Sequence, residues 1–133
     1  KIRSPRQTIG YVTDNEVLLG YHGHPASIGK DHFLLEPHLS LIDFLSDCHL
    51  LVHEAQYLSS EYHDRVGWGH SSISNATSLV KHLKCNEWIV THHDPKHTDE
   101  MLQAKLNLHR DILKECNIDT KLSMAHDGLS IPL

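Results

Sequence analysis

The sequence predicts an α/β fold, and three observations carry that reading. Short apolar runs alternate with segments whose apolar residues recur at helical spacing. The order along the chain is strand, helix, strand, helix, strand, helix, strand. Polar clusters follow the strand-like runs, where layered α/β proteins place their chemistry.

Taken in order, Thr8–Thr13 (TIGYVT) is β-rich and runs into the polar cluster Asp14-Asn15-Glu16, a strand feeding a loop. Residues 17–33 (VLLGYHGHPASIGKDHF) are punctuated by glycine and read as irregular. Residues 38–47 (HLSLIDFLSD) space Leu39, Ile42 and Leu45 at helical intervals after Pro37, predicting a short helix. Residues 48–55 (CHLLVHEA) form a continuous apolar run with polar flanks, the pattern of a buried strand. Residues 71–84 (SSISNATSLVKHLK) put Ile73, Ala76, Val80 and Leu83 on one helical face, with Ser71 or Ser72 as N-cap. Residues 87–91 (EWIVT) are another short buried strand. The clearest helix spans residues 98–116. Thr98 can cap it, Asp99 and Glu100 suit its first turn, and Lys114 lies near its end. Residues 121–133 (KLSMAHDGLSIPL) close the chain as two short strands broken at Asp127-Gly128.

With 133 residues the chain is the size of one domain, and no repeat, low-complexity tract or linker divides it. A net charge of −5 argues against a broad nucleic-acid-binding face, which needs clustered Lys and Arg. No apolar run reaches bilayer length, and Lys1–Gly10 lacks the apolar core of a signal peptide. The three cysteines, Cys48, Cys85 and Cys116, are odd in number and widely spaced. They read as small core residues in a reducing cytoplasm rather than a disulfide framework or a zinc site.

Fourteen histidines are the compositional outlier. Several sit with carboxylates at strand ends: Asp14, then His53-Glu54, then His92-His93-Asp94, then His126-Asp127. A neutral imidazole binds zinc, manganese or iron, and a carboxylate can bridge two such ions. One strand-end Asp and one strand-end His therefore supply half of a two-metal centre, with Asp14 and His92 as the candidates. Singly, Asp14 also reads as a turn or capping aspartate, and His92 as a histidine bonded to a loop carbonyl. Glu54 and His70 form a second candidate pair. A carboxylate bonded to an imidazole fixes its tautomer and raises its pKa, making a usable general acid. Singly, these two read as a strand-end surface glutamate and a histidine just ahead of a helix cap. His92 and His93 are adjacent on an extended run and should face opposite ways, so both are not expected on one ion. His97 and Asp99 read as the exposed start of the long helix. His32, His38, His49, His63, His82 and His109 read as surface or packing residues, and Trp68 and Trp88 as core or loop anchors.

Several stretches in order carry a resemblance over nearly the whole chain: GYVTDNE, LLVHEAQY, GWGHSS, IVTHHDP and the closing AHDGLSI. Together they resemble the second half of a metallo-β-lactamase-fold hydrolase, in the ribonuclease Z-like phosphodiesterase branch. The resemblance implies the C-terminal half of an αββα sandwich, a mixed sheet with helices on one face. It implies that Asp14 bridges two metals, that His92 supplies the last metal ligand, and that His70, oriented by Glu54, protonates the leaving group. Two divalent ions follow from it, zinc first, with manganese or iron as alternatives. So does hydrolysis of phosphodiester or cyclic phosphate bonds in a small nucleotide-like substrate, through a hydroxide held by the two metals. The family's His-x-His-x-Asp-His segment is absent. The one His-x-His, His22-Gly23-His24, lies after the Asp14 strand, lacks the following Asp-His, and reads as loop. Asp94-Pro95-Lys96-His97 stands where ribonuclease Z has Arg and Tyr, which loosens any link to tRNA processing.

The expectation is therefore a single partial domain over residues 1–133, with most metal ligands supplied by a segment outside this sequence. On its own such a chain should expose an apolar sheet face, form homo-oligomers, and turn over poorly. The alternative from another class is a non-catalytic α/β interaction or regulatory module that keeps the fold. A metal-storage or metal-sensing domain ranks third, because the histidines are scattered.

Overall fold

In the computed structural model, residues 1–132 are described. They form one five-stranded mixed sheet with helices: β1 (Ile2–Arg3), β2 (Thr8–Val12), α1 (Leu39–Leu45), β3 (Leu50–Glu54), α2 (Ser59–Tyr62), α3 (Ile73–Val80), β4 (Glu87–Thr91), α4 (Asp99–Glu115) and β5 (Lys121–Met124). Short 3-10 helices at Pro25–Ser27, Phe33–His38 and His63–Arg65 punctuate the connections. The strands lie in sequence order. β1 is antiparallel to β2, and β2, β3, β4 and β5 are mutually parallel.

The register places Gly10, Leu51, Trp88 and Leu122 in one row across the sheet. Side chains alternate across a strand, so this row faces one side. Leu51, Trp88, Val90 and Leu122 share a core cluster with Leu45 of α1, Ile73, Ala76 and Val80 of α3, and Ile112 and Leu113 of α4. The helices of this core thus cover the same sheet face. Gly10 is a glycine for lack of room: a Cβ there would lie 2.7 Å from Leu45 Cδ2 and 2.8 Å from Cys48 Sγ. A second cluster of Val17, Leu18, Ile28, Leu35 and Leu79 packs the irregular 17–38 segment against α3.

Both long-helix caps form as the sequence implies. Ser72 accepts from Asn75 N at the start of α3, and Thr98 accepts from Met101 N at the start of α4. Four details differ. A short strand, β1, precedes the first expected one and pairs antiparallel with it. α3 ends at Val80, and Leu83 is buried from the turn that follows. α2 was not expected, since four residues give no period to read; Glu61 holds it by accepting from Leu58 N at 2.7 Å. The chain closes with one strand rather than two. After β5 and the turn at Asp127-Gly128, residues 129–132 are not paired in the sheet, and Leu133 lies outside the described residues. None of the described helices is long and apolar enough to cross a membrane.

Candidate metal centre

Parallel pairing of β2, β3 and β4 brings their C-terminal ends to one edge of the sheet. Asp14 lies just beyond β2, Glu54 ends β3, and His92 directly follows β4. The strand stops at Thr91, and His92 has φ +55°, in the left-handed region. Histidine visits that region more often than most side chains, and outliers of this kind collect at functional sites. The turn brings His92 Nδ1 to 2.8 Å from Asp14 Oδ1. His70 arrives from the loop ahead of α3, its ring centroid 4.4 Å from that of His92. Ligand-capable atoms of Asp14, His70 and His92 all lie within 4.8 Å of one another. Two imidazole nitrogens and one carboxylate oxygen form a donor set that suits zinc, manganese or iron.

His93 is separated from this cluster, though by a different route from strand alternation. With the backbone left-handed at His92, His93 Nε2–H donates to Ala125 O at 3.0 Å and the ring turns inward. The two histidines therefore serve different groups.

Glu54 stands behind His70 and is wholly buried. Its carboxylate accepts from three backbone amides: Ser71 N at 2.7 Å, Gln56 N at 3.0 Å and Asn15 N at 3.3 Å. Burial still pushes its pKa up to about 7 against those bonds. His70 Nδ1 lies 3.8 Å from Glu54 Oε1, too far for a hydrogen bond, and has no other partner. Burial, helped by the nearby His92, lowers the His70 pKa, with Asp14 and Glu16 opposing. The pKa rise anticipated for His70 is thus reversed. A carboxyl that titrates near neutrality carries too little charge to offset the imidazole's desolvation. With Nδ1 turned toward Glu54, Nε2 is the nitrogen left for the Asp14–His92 side.

Residues 15–17 stitch this site together in a way the sequence did not show. Asn15 Nδ2 bonds to His53 Nε2, Ser71 Oγ–H donates to Asn15 O, and Val17 N donates to Ser71 Oγ. Glu16 accepts from Tyr62 Oη and from the amides of Gly67 and Gly69. These contacts join residues 38 or more apart in the chain, and no local pattern encodes them. The visible signal was the paired glycines in GWGHSS. Both take positive φ, +83° at Gly67 and +88° at Gly69.

Other expected residues fall outside the cluster. His24 bonds to Ala26 N and Glu115, and the His22 ring lies tilted beside those of Tyr62 and His63. His126 donates to the neighbouring Asp127 carbonyl. His97 was expected on an exposed helix start, yet its side chain is buried and pairs with Glu61 at 2.9 Å. His38, His49 and His109 satisfy Leu18 N, Thr8 N and Thr77 Oγ1. Trp88 is fully buried, whereas Trp68 is 63% exposed with the Arg65 guanidinium 4.6 Å over its ring. Cys48 and Cys85 are buried free thiols, and Cys116 is half-buried. No family model, curated protein or solved structure matches the chain.

Proposed function

We propose that this chain is part of a metal-dependent hydrolase of phosphoester bonds, the α/β layer of a metallo-β-lactamase-like domain. One observation supports the proposal above the rest: Asp14, His70 and His92, drawn from three separate loops, converge at ligand distance at the C-terminal edge of the parallel strands. A divalent ion held there supplies a Lewis acid and lowers the pKa of water toward neutrality. Asp14 contributes negative charge, His92 is oriented by its backbone turn, and Glu54 backs His70. A cleft of about 340 Å³ shares His70 with the site and is also lined by Tyr57, Arg65, Trp68, Asp94 and Lys96. Arg65 and Lys96 suit a phosphate, and Asp94 sets a limit on how much negative charge the cleft accepts. A small nucleotide-like phosphodiester fits this combination of cations and exposed indole.

His70 takes one of two roles in this proposal, third ligand or proton donor to the leaving oxygen, because an Nε2 that holds a metal has no proton to give. They separate experimentally. His70→Ala losing metal with Asp14→Ala and His92→Ala makes it a ligand; keeping metal and losing turnover makes it the donor. Zinc or manganese titration of the purified chain should show weak binding near one ion per chain. Turnover of bis(p-nitrophenyl) phosphate should be poor and abolished by Asp14→Ala. Wild-type stoichiometry for Asp14→Ala would remove the proposal and favour a non-catalytic module.

A further inference from the structure

The loop that delivers His70 has little of its own to hold it. Val66–Gly69 are exposed, and the loop's internal backbone bond is Trp68 N to Arg65 O at 3.1 Å. Gly67 and Gly69 both sit in the left-handed region, which frees their amides from the regular chain path. Both amides point at one carboxylate. Glu16 Oε1 accepts from Gly67 N at 2.7 Å, and Oε2 accepts from Gly69 N at 2.8 Å. The same Oε1 accepts from Tyr62 Oη at 2.7 Å, and Tyr62 Oη in turn accepts from Gly20 N. Charge-assisted bonds to a carboxylate are shorter and stronger than neutral ones, so this one side chain dominates the loop's anchoring.

Glu16 is two residues from Asp14, on the same short run after β2. The chain segment that supplies one member of the triad therefore also grips the loop that supplies another. On the far side of His70, Ser71 is fixed to Glu54 and Asn15. His70 is thus pinned from before and after, and the earlier pin is Glu16.

We infer that Glu16 is a positioning residue: its carboxylate clamps Gly67–Gly69 so that the His70 imidazole is held against Asp14 and His92. The inference rests on the proposed metal centre for its purpose, but its geometry is testable without metal. In Glu16→Gln, only one oxygen remains to accept, and the new amide N–H₂ opposes one of the glycine N–H groups. In metal-free, ¹⁵N-labelled chain, Gly67 and Gly69 amide exchange should rise at least about ten-fold, by the loss of roughly one charge-assisted bond. The nuclear Overhauser contact between the His70 and His92 rings should weaken, while exchange in β3, β4 and α4 stays at wild-type rates. In the same protein, Co²⁺ affinity should fall about ten-fold or more, the range seen when groups that orient metal ligands are lost, with a changed visible absorption spectrum. Tyr62→Phe removes one bond to Glu16 yet leaves both glycine amides held, and should keep the wild-type spectrum. Glu16→Asp, whose shorter arm cannot reach both amides, should give the same changes at smaller size and replaces the Gln variant if that one does not fold.

Unchanged glycine exchange, or raised exchange with an intact His70–His92 contact, overturns the clamp. A wild-type chain that fails to bind Co²⁺ counts instead against the metal centre, and the ring contact then decides the clamp by itself.

Discussion

His109 must carry its proton on Nε2. The Thr77 hydroxyl spends its single hydrogen on Ile73 O at 2.6 Å, so at 2.8 Å from His109 Nε2 it can only accept. Nδ1 is then a buried lone pair with no partner. His53 adopts the opposite tautomer, with Nδ1–H donating to Glu54 O and Nε2 accepting from Asn15 Nδ2. Burial holds both neutral, lowering His53 to about 4 and His109 to about 3. Between those values and 6.5, the unfolded chain binds protons at these positions and the folded chain does not. Stability therefore falls as pH drops through that window, by about 3 kcal/mol for His53 alone. Glu54 acts the other way, keeping its proton up to about 7 when folded but losing it near 4.5 when unfolded. Its contribution is present below about 4.5 and lost as pH rises to about 7. The opposing slopes flatten the curve between about 4.5 and 6.5. Below that, Glu54 no longer opposes, and the histidines are joined by Asp47 and Glu100, whose pKa values are lowered in the fold. The urea midpoint of metal-free chain should therefore drop steeply, and His109→Leu should make the drop shallower. Glu54→Gln, measured in urea at pH 8, should cost about 1–3 kcal/mol, because the amide cannot accept from all three backbone donors.

At the scale of elements, close approach and capping make the sharpest expectations. Gly10→Ala drives a methyl into Leu45 and Cys48 where β2 meets α1, and should destabilise by about 1–3 kcal/mol in urea titration. A Gly10→Ala chain as stable as wild type would mean that this contact relaxes freely. Thr98→Ala removes the α4 cap and should cost about 1 kcal/mol, read as a fall in midpoint with an unchanged slope. These same elements show what a sequence discloses. α4 was legible because cap, first-turn acids and apolar period agree, and β3 and β4 because a buried strand is a plain apolar run. α2 and the unpaired tail after β5 were not, since one is a single turn stabilised by Glu61 and the other is decided by pairing partners. At the site, Asp14 and His92 were legible as strand-end polar residues, and the topology brings them together. His92's left-handed turn and Glu16's grip on Gly67 and Gly69 were hidden, because both depend on loops that meet only after folding. The separation of Glu54 from His70 was hidden too, since spacing along a chain does not fix a distance across a fold.

The whole molecule has two unlike sheet faces. Gly10, Leu51, Trp88 and Leu122 look toward the helices, so strand alternation points Ile9, Tyr11, Val52 and Ile89 to the other side. None of those four belongs to either core cluster, and Tyr11 is 59% exposed. Ile9 and Val52 are only half-buried, whereas Ile89 is buried. An apolar sheet face of this kind is uncommon on a monomer and favours association. β1 adds a further apolar group at the same edge, Ile2, at 60% exposure. We therefore expect the isolated chain to self-associate through this face. Light scattering at micromolar concentration should give a mass above 15.1 kDa, nearest to twice that value. Tyr11→Lys places a charge at the centre of the proposed contact but touches no core cluster, so its intrinsic stability should change by no more than about 0.5 kcal/mol. The variant should shift the mass toward the monomer. A wild-type chain that stays monomeric at these concentrations, with Tyr11→Lys indistinguishable from it, would show that the exposed face is content in water.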